Sequence, residues 1–261
     1  MIVSTSEYIK TPDLMPEIKK YKSGHGWDFT TTKNRISNAK EISDLKNTLS
    51  IENIPDMIFG DNKLEIFYDG QMVFEFSTVH AMKHISHKDP GIEVSHSKHW
   101  KKRSVGSFTE DLTKVKPYDW TYTTNFTGFV SDLFKFTLTD SEINLRKLKE
   151  PEPILFYDEL VFYEDELADN GISSCSLKIR VMPSGYFLLQ RFYLRVDNVV
   201  IRVYDTRVHC LFATRTILRE CIQKESSYSE LGNLPREVLL DSNLISNHLK
   251  TKNIKKERMT Y

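Results

Sequence analysis

Cysteine is scarce in this chain. Cys175, Cys210 and Cys221 are the only three in 261 residues, an odd number with no CxxC pair. Reduced thiols in an intracellular protein are therefore the expectation. No apolar run approaches the roughly 18 residues needed to span a bilayer as a helix. Residues 1–20 lack the apolar core of a secretory signal, so the Asn-Phe-Thr sequon at Asn125 reads as an accident of composition. Net charge is also absent: 36 Lys+Arg stand against 36 Asp+Glu. That balance removes the electrostatic footprint of a general nucleic-acid binder. There is no fixed-period repeat and no Gly/Ser-rich linker.

Aromatic bulk is plentiful, with 15 Phe, 12 Tyr and 3 Trp in an apolar fraction of 39%. That excludes disorder as the global state and allows one large domain or two small ones. The reading divides the chain into a flexible arm over 1–24, one α+β domain over 25–249 and a basic, frayed tail over 250–261.

Within the domain, Asn38 is an N-cap candidate for a helix over 38–49 whose stripe is Ile42, Leu45 and Leu49, with Pro55 ending the stretch. Strands 64–68 and 71–76 flank Asp69-Gly70, a strong two-residue hairpin signal. A short helix is expected over 78–87, then a long surface connection over 88–113. Residues 118–126 alternate Trp120, Tyr122, Thr124 and Phe126 against polar neighbours, which is strand periodicity. A turn at Gly128 leads to a strand over 133–138, and Thr139 with Glu142 forms a capping-box match opening a helix to Leu148, closed by Pro151.

Two more hairpins follow, 155–166 with 173–182, and 186–196 with 199–206 around Asp197-Asn198. Residues 214–224 read as strand or helix, and the stretch after Pro235 as short helices. Hairpins predominate and no βαβ rhythm appears, so the expected fold is α+β: mainly antiparallel sheets packed as a sandwich-like body with a few peripheral helices.

A two-residue turn at Asp197-Asn198 would set Val196 opposite Val199, Leu194 opposite Ile201 and Phe192 opposite Val203. The other face would then pair Tyr193 with Arg202 and Arg191 with Tyr204, and add Arg195. Residues 173–207 carry six basic side chains (Lys178, Arg180, Arg191, Arg195, Arg202, Arg207) against two acids, whereas 150–169 carries eight acids and no base. Two readings stay open. Either neighbouring hairpins cross-bridge, at roughly 0.2–1 kcal/mol a pair, or the arginines line a groove for an extended acidic peptide, since guanidinium forks match carboxylates and tyrosines supply contact area.

Candidate chemistry is thin. His80, His84 and His87 fall on one helical face at a metal-ligand spacing, with His96 and His99 nearby in sequence, but no cysteine or HExxH glutamate accompanies them. Glu164 and Glu166 would share a strand face, which usually means basic neighbours rather than acid–base work. His209 and Cys210 adjoin in sequence and would point apart on a strand. Trp100 to Arg103 is a single short basic run. There is no GxSxG, P-loop or GxGxxG motif. No catalytic residue, metal or cofactor is assigned, and the alternatives kept are a metal-dependent hydrolase on the histidine cluster and a scaffold.

Several ordered motifs go further: residues 55–62 (PDMIFGDN), 116–124 (KPYDWTYTT), 162–167 (FYEDEL) with 171–174 (GISS), 178–184 (KIRVMPS) and 201–207 (IRVYDTR). Together they resemble the TIP-forty-one-like (TIPRL) family of TOR-pathway regulators, over about residues 26–249. His80 and Val203 depart from the family pattern.

The resemblance implies a non-enzymatic cytoplasmic or nuclear protein, monomeric when free. It would bind and restrain catalytic subunits of type 2A, 4 and 6 phosphatases, with a link to the alpha-four/Tap adaptor and no nucleic-acid or membrane partner. It also implies a cleft for the phosphatase's acidic C-terminal tail. The residues expected to bind are Asp119, Trp120, Tyr122, Arg180, Arg191, Tyr193, Arg195, Arg202, Tyr204, Asp205 and Arg207. Arg191, Arg195 and Arg202 would meet tail carboxylates, and Trp120 and Tyr122 would pack its apolar side chains.

Overall fold

Sheets dominate the computed structural model, which describes residues 15–51, 54–85 and 122–261. One sheet has the order β1-β2-β4-β5-β6, and the other β3-β8-β9-β10-β11-β12-β13-β7. Every strand pair described is antiparallel. The smaller sheet comprises β1 (Glu17–Lys22), β2 (Trp27–Lys33), β4 (Lys63–Tyr68), β5 (Gln71–Ser77) and β6 (Phe129–Val130). The larger comprises β3 (Met57–Ile58), β7 (Thr137–Leu138), β8 (Phe156–Asp165), β9 (Gly171–Met182), β10 (Gly185–Val196), β11 (Val200–Leu211), β12 (Thr216–Ser227) and β13 (Thr251–Thr260). The expected α+β sandwich-like body is what forms.

The main core lies between the sheets. Trp27, Phe29, Leu64, Ile66, Phe74 and Phe76 on one side meet Leu177, Tyr186, Leu188, Phe192 and Leu194 on the other. Tyr186 sits edge-on to both Trp27 and Phe29 at 5.2 Å between ring centroids, a geometry that adds to the burial of each ring. Asp158 of the larger sheet ties the layers polarly. It is buried, accepts from Thr31 and pairs with Lys19 and Lys33 of the smaller sheet. Burial alone would raise its pKa, but the bonds from Lys33, Thr31 and the Glu159 amide outweigh that and lower it.

Local chemistry explains the elements that were legible. α1 (Ala39–Leu49) starts where Asn38 accepts from the Lys40 and Glu41 amides while Glu41 returns a bond to the Asn38 N–H. The β4–β5 hairpin turns at Asp69 (φ 47°) and Gly70 (φ 79°), both left-handed as a two-residue turn of this hand demands. The expected helix after β5 is α2 (Thr78–Lys83), which ends earlier than expected, at His84, with Ile85 already bridging Thr124; residues 86–87 and the 88–113 connection lie outside the described residues.

Several expectations need correction. Residues 17–22 of the supposed arm are a strand, β1, paired along its length with β2. The supposed frayed tail is β13, held in register against β12. No helix runs from Thr139 to Leu148, where only Lys147–Lys149 form a 3-10 turn. There Glu142 pairs with Lys256, and the Ile143 amide donates to Glu220, so the capping-box residues bond to the sheet instead. Residues 122–126 make a single bridge, Ile85 with Thr124, rather than a strand, and of 133–138 only Thr137–Leu138 pairs.

The third hairpin is one residue out of the expected register. Its loop has three residues, with Asn198 alone left-handed (φ 63°) and the Val199 N–H closing on the Val196 carbonyl at 3.0 Å. Val196 therefore faces Val200, Tyr193 faces Val203 and Arg191 faces Asp205. A two-residue turn would need left-handed backbone at Asp197 as well, and Asp197 does not adopt it. Because side chains alternate with period two, this slip moves the second strand's residues to the opposite face.

Candidate functional site

The corrected register splits the expected arginine–tyrosine face in two. Arg202 and Tyr204 share the inner side with Phe192 and Leu194, whereas Arg191, Tyr193, Arg195, Asp205 and Arg207 lie on the outer side of the larger sheet. Arg180 joins the outer set through its pairing with Phe187. Asp119 and Trp120 lie outside the described residues.

On the inner side, Arg202 pairs with Glu225, its cross-strand neighbour, and donates to the Thr123 hydroxyl at 3.0 Å. Thr124 donates to the Ala81 carbonyl at 2.7 Å, and Gln190 donates to the Phe126 carbonyl at 2.7 Å. Tyr122 packs against the main core and Tyr204 stands edge-on to Phe192. The described end of the aromatic signature segment is thus stitched into the body between α2 and the third hairpin.

The outer side is organised by ladder rows. One row is Arg180, Phe187, His209, Leu218; the next is Lys178, Leu189, Arg207, Glu220; the third is Ser176, Arg191, Asp205, Ile222. Segment 143–154 covers one end of this face, where the Leu148 carbonyl accepts from Arg180 at 2.7 Å. The other end is covered by α3 (Tyr228–Leu231), α4 (Arg236–Leu240) and α5 (Ser242–Ile245). They pack Ile245, Leu249 and neighbours onto Tyr193, Ile201 and Val203 as a second small core. Between the two covers runs a strip of exposed Lys178 and half-buried Ser176, Leu189, Arg191 and Arg207.

Asp205 holds that strip together. At 3% exposure it takes a two-pronged contact from Arg191 (11% exposed), Nε to Oδ1 at 2.7 Å and Nη2 to Oδ2 at 2.8 Å, and a third from Arg207 Nη2 at 3.2 Å. Arg191 Nη1 continues to the Ser242 carbonyl and the Asn243 side chain. Lys224 donates to the Ser246 carbonyl at 2.7 Å. Burial lowers the Lys224 pKa, and the positive fields of Arg207 and Arg191 push the same way against the attraction of Asp205. Farther along, Arg195 pairs with Asp197 at 2.7 Å and Tyr193 donates to the Leu239 carbonyl at 3.3 Å.

Ion pairing within the protein therefore describes Arg191, Arg195, Arg202 and Arg207, though with Asp205, Asp197 and Glu225 rather than with the acids of 150–169, one of which, Glu159, pairs with Lys178 at 2.8 Å. Arg180 differs. Among the described residues it has no carboxylate partner, its Nε is buried without a hydrogen bond, and its guanidinium lies 5.6 Å from the Phe187 ring centre. It lines a cavity of about 460 Å³ whose apolar walls include Leu145, Leu148, Ile154, Met182 and Phe187. A second cavity of about 250 Å³ adjoins it through Leu148, Glu150 and Glu152 and is lined by Ser184, His209 and Leu211.

His209 points outward and Cys210 inward, so they form no nucleophile pair. His209 is 4% exposed, and burial lowers its pKa to about 4, aided by the fields of Arg180 and Lys147 and opposed by Glu152. Its folded pKa lies below the unfolded value near 6.5. Its contribution to stability is therefore complete above about pH 6.5 and is lost as pH falls toward 4, by about 2–3 kcal/mol. Urea melts at pH 7.5 and 4.5 should show that loss in the native chain and a smaller one in His209→Gln.

His80 and His84 each engage Nδ1 within the protein, His80 with Ser77 and Glu75 and His84 with the His80 carbonyl. His87 lies outside the described residues. Sequence reasoning does not reach Leu189 within the strip or Lys224 beside it. Residues 214–224 fit strand and helix alike, and Leu189 reads as an ordinary apolar strand residue.

The chain matches the TIP41-like family over residues 57–232 and belongs to that family. The human TIP41-like protein is 36% identical over 239 residues, covering 90% of this chain and 87% of the human one. The Saccharomyces cerevisiae protein named type 2A phosphatase activator TIP41 is 38% identical over 245 residues, covering 84% of this chain and 69% of its own. The Schizosaccharomyces pombe protein of the same name is 30% identical over 233 residues, covering 86% and 92%.

Proposed function

We propose that this chain regulates type 2A-like serine/threonine phosphatases, including types 4 and 6, by binding the catalytic subunit rather than by catalysis. The names of the yeast relatives support the phosphatase part. In this reading the subunit's acidic C-terminal tail lies along the outer strip between segment 143–154 and the C-terminal helices. The carrying observation is Arg180, a guanidinium without a carboxylate partner among the described residues, set beside a cavity of about 460 Å³ whose walls are Leu145, Leu148, Ile154, Met182 and Phe187 together with Lys149, Glu150 and Glu152. Such a group is costly to keep uncompensated and forms strong charge-assisted bonds once a carboxylate arrives.

Arg207 adjoins it one row away and meets further tail acids, while Asp205 and Arg191 act as the frame that holds Arg207 in place and Lys178, in the same row, is held by Glu159. Arg202, Tyr204 and Tyr122 support the hairpin from the inner side instead of touching the tail. The setting is TOR-dependent signalling in the cytoplasm or nucleus, with the alpha-four/Tap adaptor as a further member of the complex.

The test is calorimetric titration of the full chain with a synthetic phosphatase tail peptide. Arg180→Glu should weaken binding at least tenfold, about 1.4 kcal/mol, with an unchanged thermal midpoint, and a methyl-esterified peptide end should weaken it comparably. Equal affinity in Arg180→Glu would overturn the placement. Failure of the native chain to retain a catalytic subunit from purified components would overturn the function. Hydrolysis of a phosphopeptide with and without the chain then shows whether the bound enzyme is restrained.

A further inference from the structure

Arg191 shows how a guanidinium on this sheet grips a carboxylate: Nε meets Asp205 Oδ1 at 2.7 Å and Nη2 meets Oδ2 at 2.8 Å. Arg180 does not offer that fork as it stands. Its Nη2 donates to the Leu148 carbonyl at 2.7 Å, and its Nε is buried without a hydrogen bond. A single carbonyl brings one oxygen and no charge, so the fork is half filled. The group that half fills it belongs to the segment covering this end of the strip.

Residues 144–154 are built as a strap. One end is fixed where the Ile143 amide donates to Glu220 at 2.7 Å and Glu142 pairs with Lys256. The other is fixed where the Leu155 N–H donates to the Val181 carbonyl at 2.8 Å. Between those ends Leu148 and Glu152 are half-buried and every other residue is exposed. Among the described residues, two points tie this stretch to the sheet by hydrogen bonds. One is Leu148 on Arg180; the other is Glu152, whose carboxylate accepts from the Ser184 amide at 2.7 Å and the Ser184 hydroxyl at 2.8 Å. Beneath the strap lie the cavities of about 460 and 250 Å³ in place of packed side chains, and Leu145 and Ile154 are 40% and 56% exposed. A stretch with few buried apolar contacts and few bonds opens at low cost. Pro151 and Pro153, with fixed φ and no N–H to re-pair, keep it extended in either position.

We infer, on the reading that an acidic phosphatase tail is the ligand, that residues 144–154 are an autoinhibitory strap over Arg180 that lifts when a tail carboxylate replaces the Leu148 carbonyl. The two occupants exclude each other, because the side-on fork needs Nε and Nη2 together and Nε is sealed while the strap is down. A carboxylate fills the fork better, with two oxygens and a full charge. The second attachment, Glu152 on Ser184, sets how often the fork is free. Loosening that attachment therefore strengthens the tail's hold without altering the arginines that bind it.

The test titrates the full chain with the synthetic tail peptide and follows hydrogen exchange of the Ser184 amide, which reports the strap's closure. Glu152→Asp keeps the charge and draws the carboxylate back by one methylene, and Ser184→Ala removes the hydroxyl donor. Each should raise peptide affinity at least threefold. In the native chain, saturating peptide should speed Ser184 exchange at least tenfold. Unchanged affinity in both variants would overturn the inference, and so would slower Ser184 exchange on binding, which would make the segment a lid that closes on its ligand. A native chain that binds no peptide would instead overturn the tail reading. The strap is then judged in the free chain, where Glu152→Asp should speed Ser184 exchange at least tenfold and an unchanged rate would overturn it.

Discussion

Arg202→Glu is expected to destabilise the protein by about 3–5 kcal/mol, the cost of breaking a mostly buried ion pair by converting one partner. Arg202 meets Glu225 across the β11–β12 ladder and Thr123 beyond it. The substitution would set two carboxylates face to face and leave the Thr123 hydroxyl without its donor. Against a total stability of roughly 5–15 kcal/mol, that is a large fraction. Urea denaturation should show the fall in midpoint. Arg202→Lys should lose less, because it keeps the charge but not the fork that reaches both partners. Pairing an apolar residue at 202 with Glu225→Leu should recover most of the loss, since removing both charges spares the uncompensated one. Full stability in Arg202→Glu would show instead that the Glu225 pair contributes little to the fold.

The same residue shows what the sequence could and could not convey. Each hairpin was legible because turn chemistry is local: Asp69-Gly70 announces its turn, and the apolar alternation of residues 186–206 announces two strands. Whether a loop has two residues or three depends on which of Asp197, Asn198 and Val199 turns left-handed, and the composition of that loop fits either. One residue of slip then sorted Arg202 and Tyr204 onto the inner side and left Arg191 and Arg207 outside.

β13 was illegible for a different reason. Its inward positions include Glu257, buried at 6% exposure and neutralised by Arg219 at 2.8 Å, and Lys255, paired to that same Glu257. A strand whose core face is built from ion pairs carries no hydrophobic period to read. The helix expected at Thr139 failed because Glu142 and the Ile143 amide found partners on Lys256 and Glu220, contacts between residues more than 70 positions apart. Of the candidate site, the basic and aromatic residue types are legible in the sequence, and an acidic ligand is the expectation they carry. The distinction between arginines that staple the sheet and the one left without a carboxylate required the register.

Asp205→Asn should show a loss of comparable size on the outer side, and with it a loss of partner binding. Asp205 is the shared counter-ion of Arg191 and Arg207, with Lys224 also in its field. Neutralising it leaves three cations gathered around an uncharged amide, which keeps one acceptor oxygen and turns an NH2 donor toward the guanidiniums in place of the other. Breaking such a buried network costs about 3–5 kcal/mol, and the Arg191 bonds to Ser242 and Asn243 would slacken the seat of the C-terminal helices. If Asp205 acts by positioning Arg207, the tail peptide should bind at least tenfold more weakly even at temperatures where the variant is fully folded. Arg191→Lys should reproduce the stability loss with a smaller effect on binding. Calorimetric titration beside urea melts separates the two effects. An Asp205→Asn protein that is destabilised yet binds the peptide as tightly as the native chain would confine this carboxylate to holding the sheet and helices together, and would move the tail toward Arg180 alone.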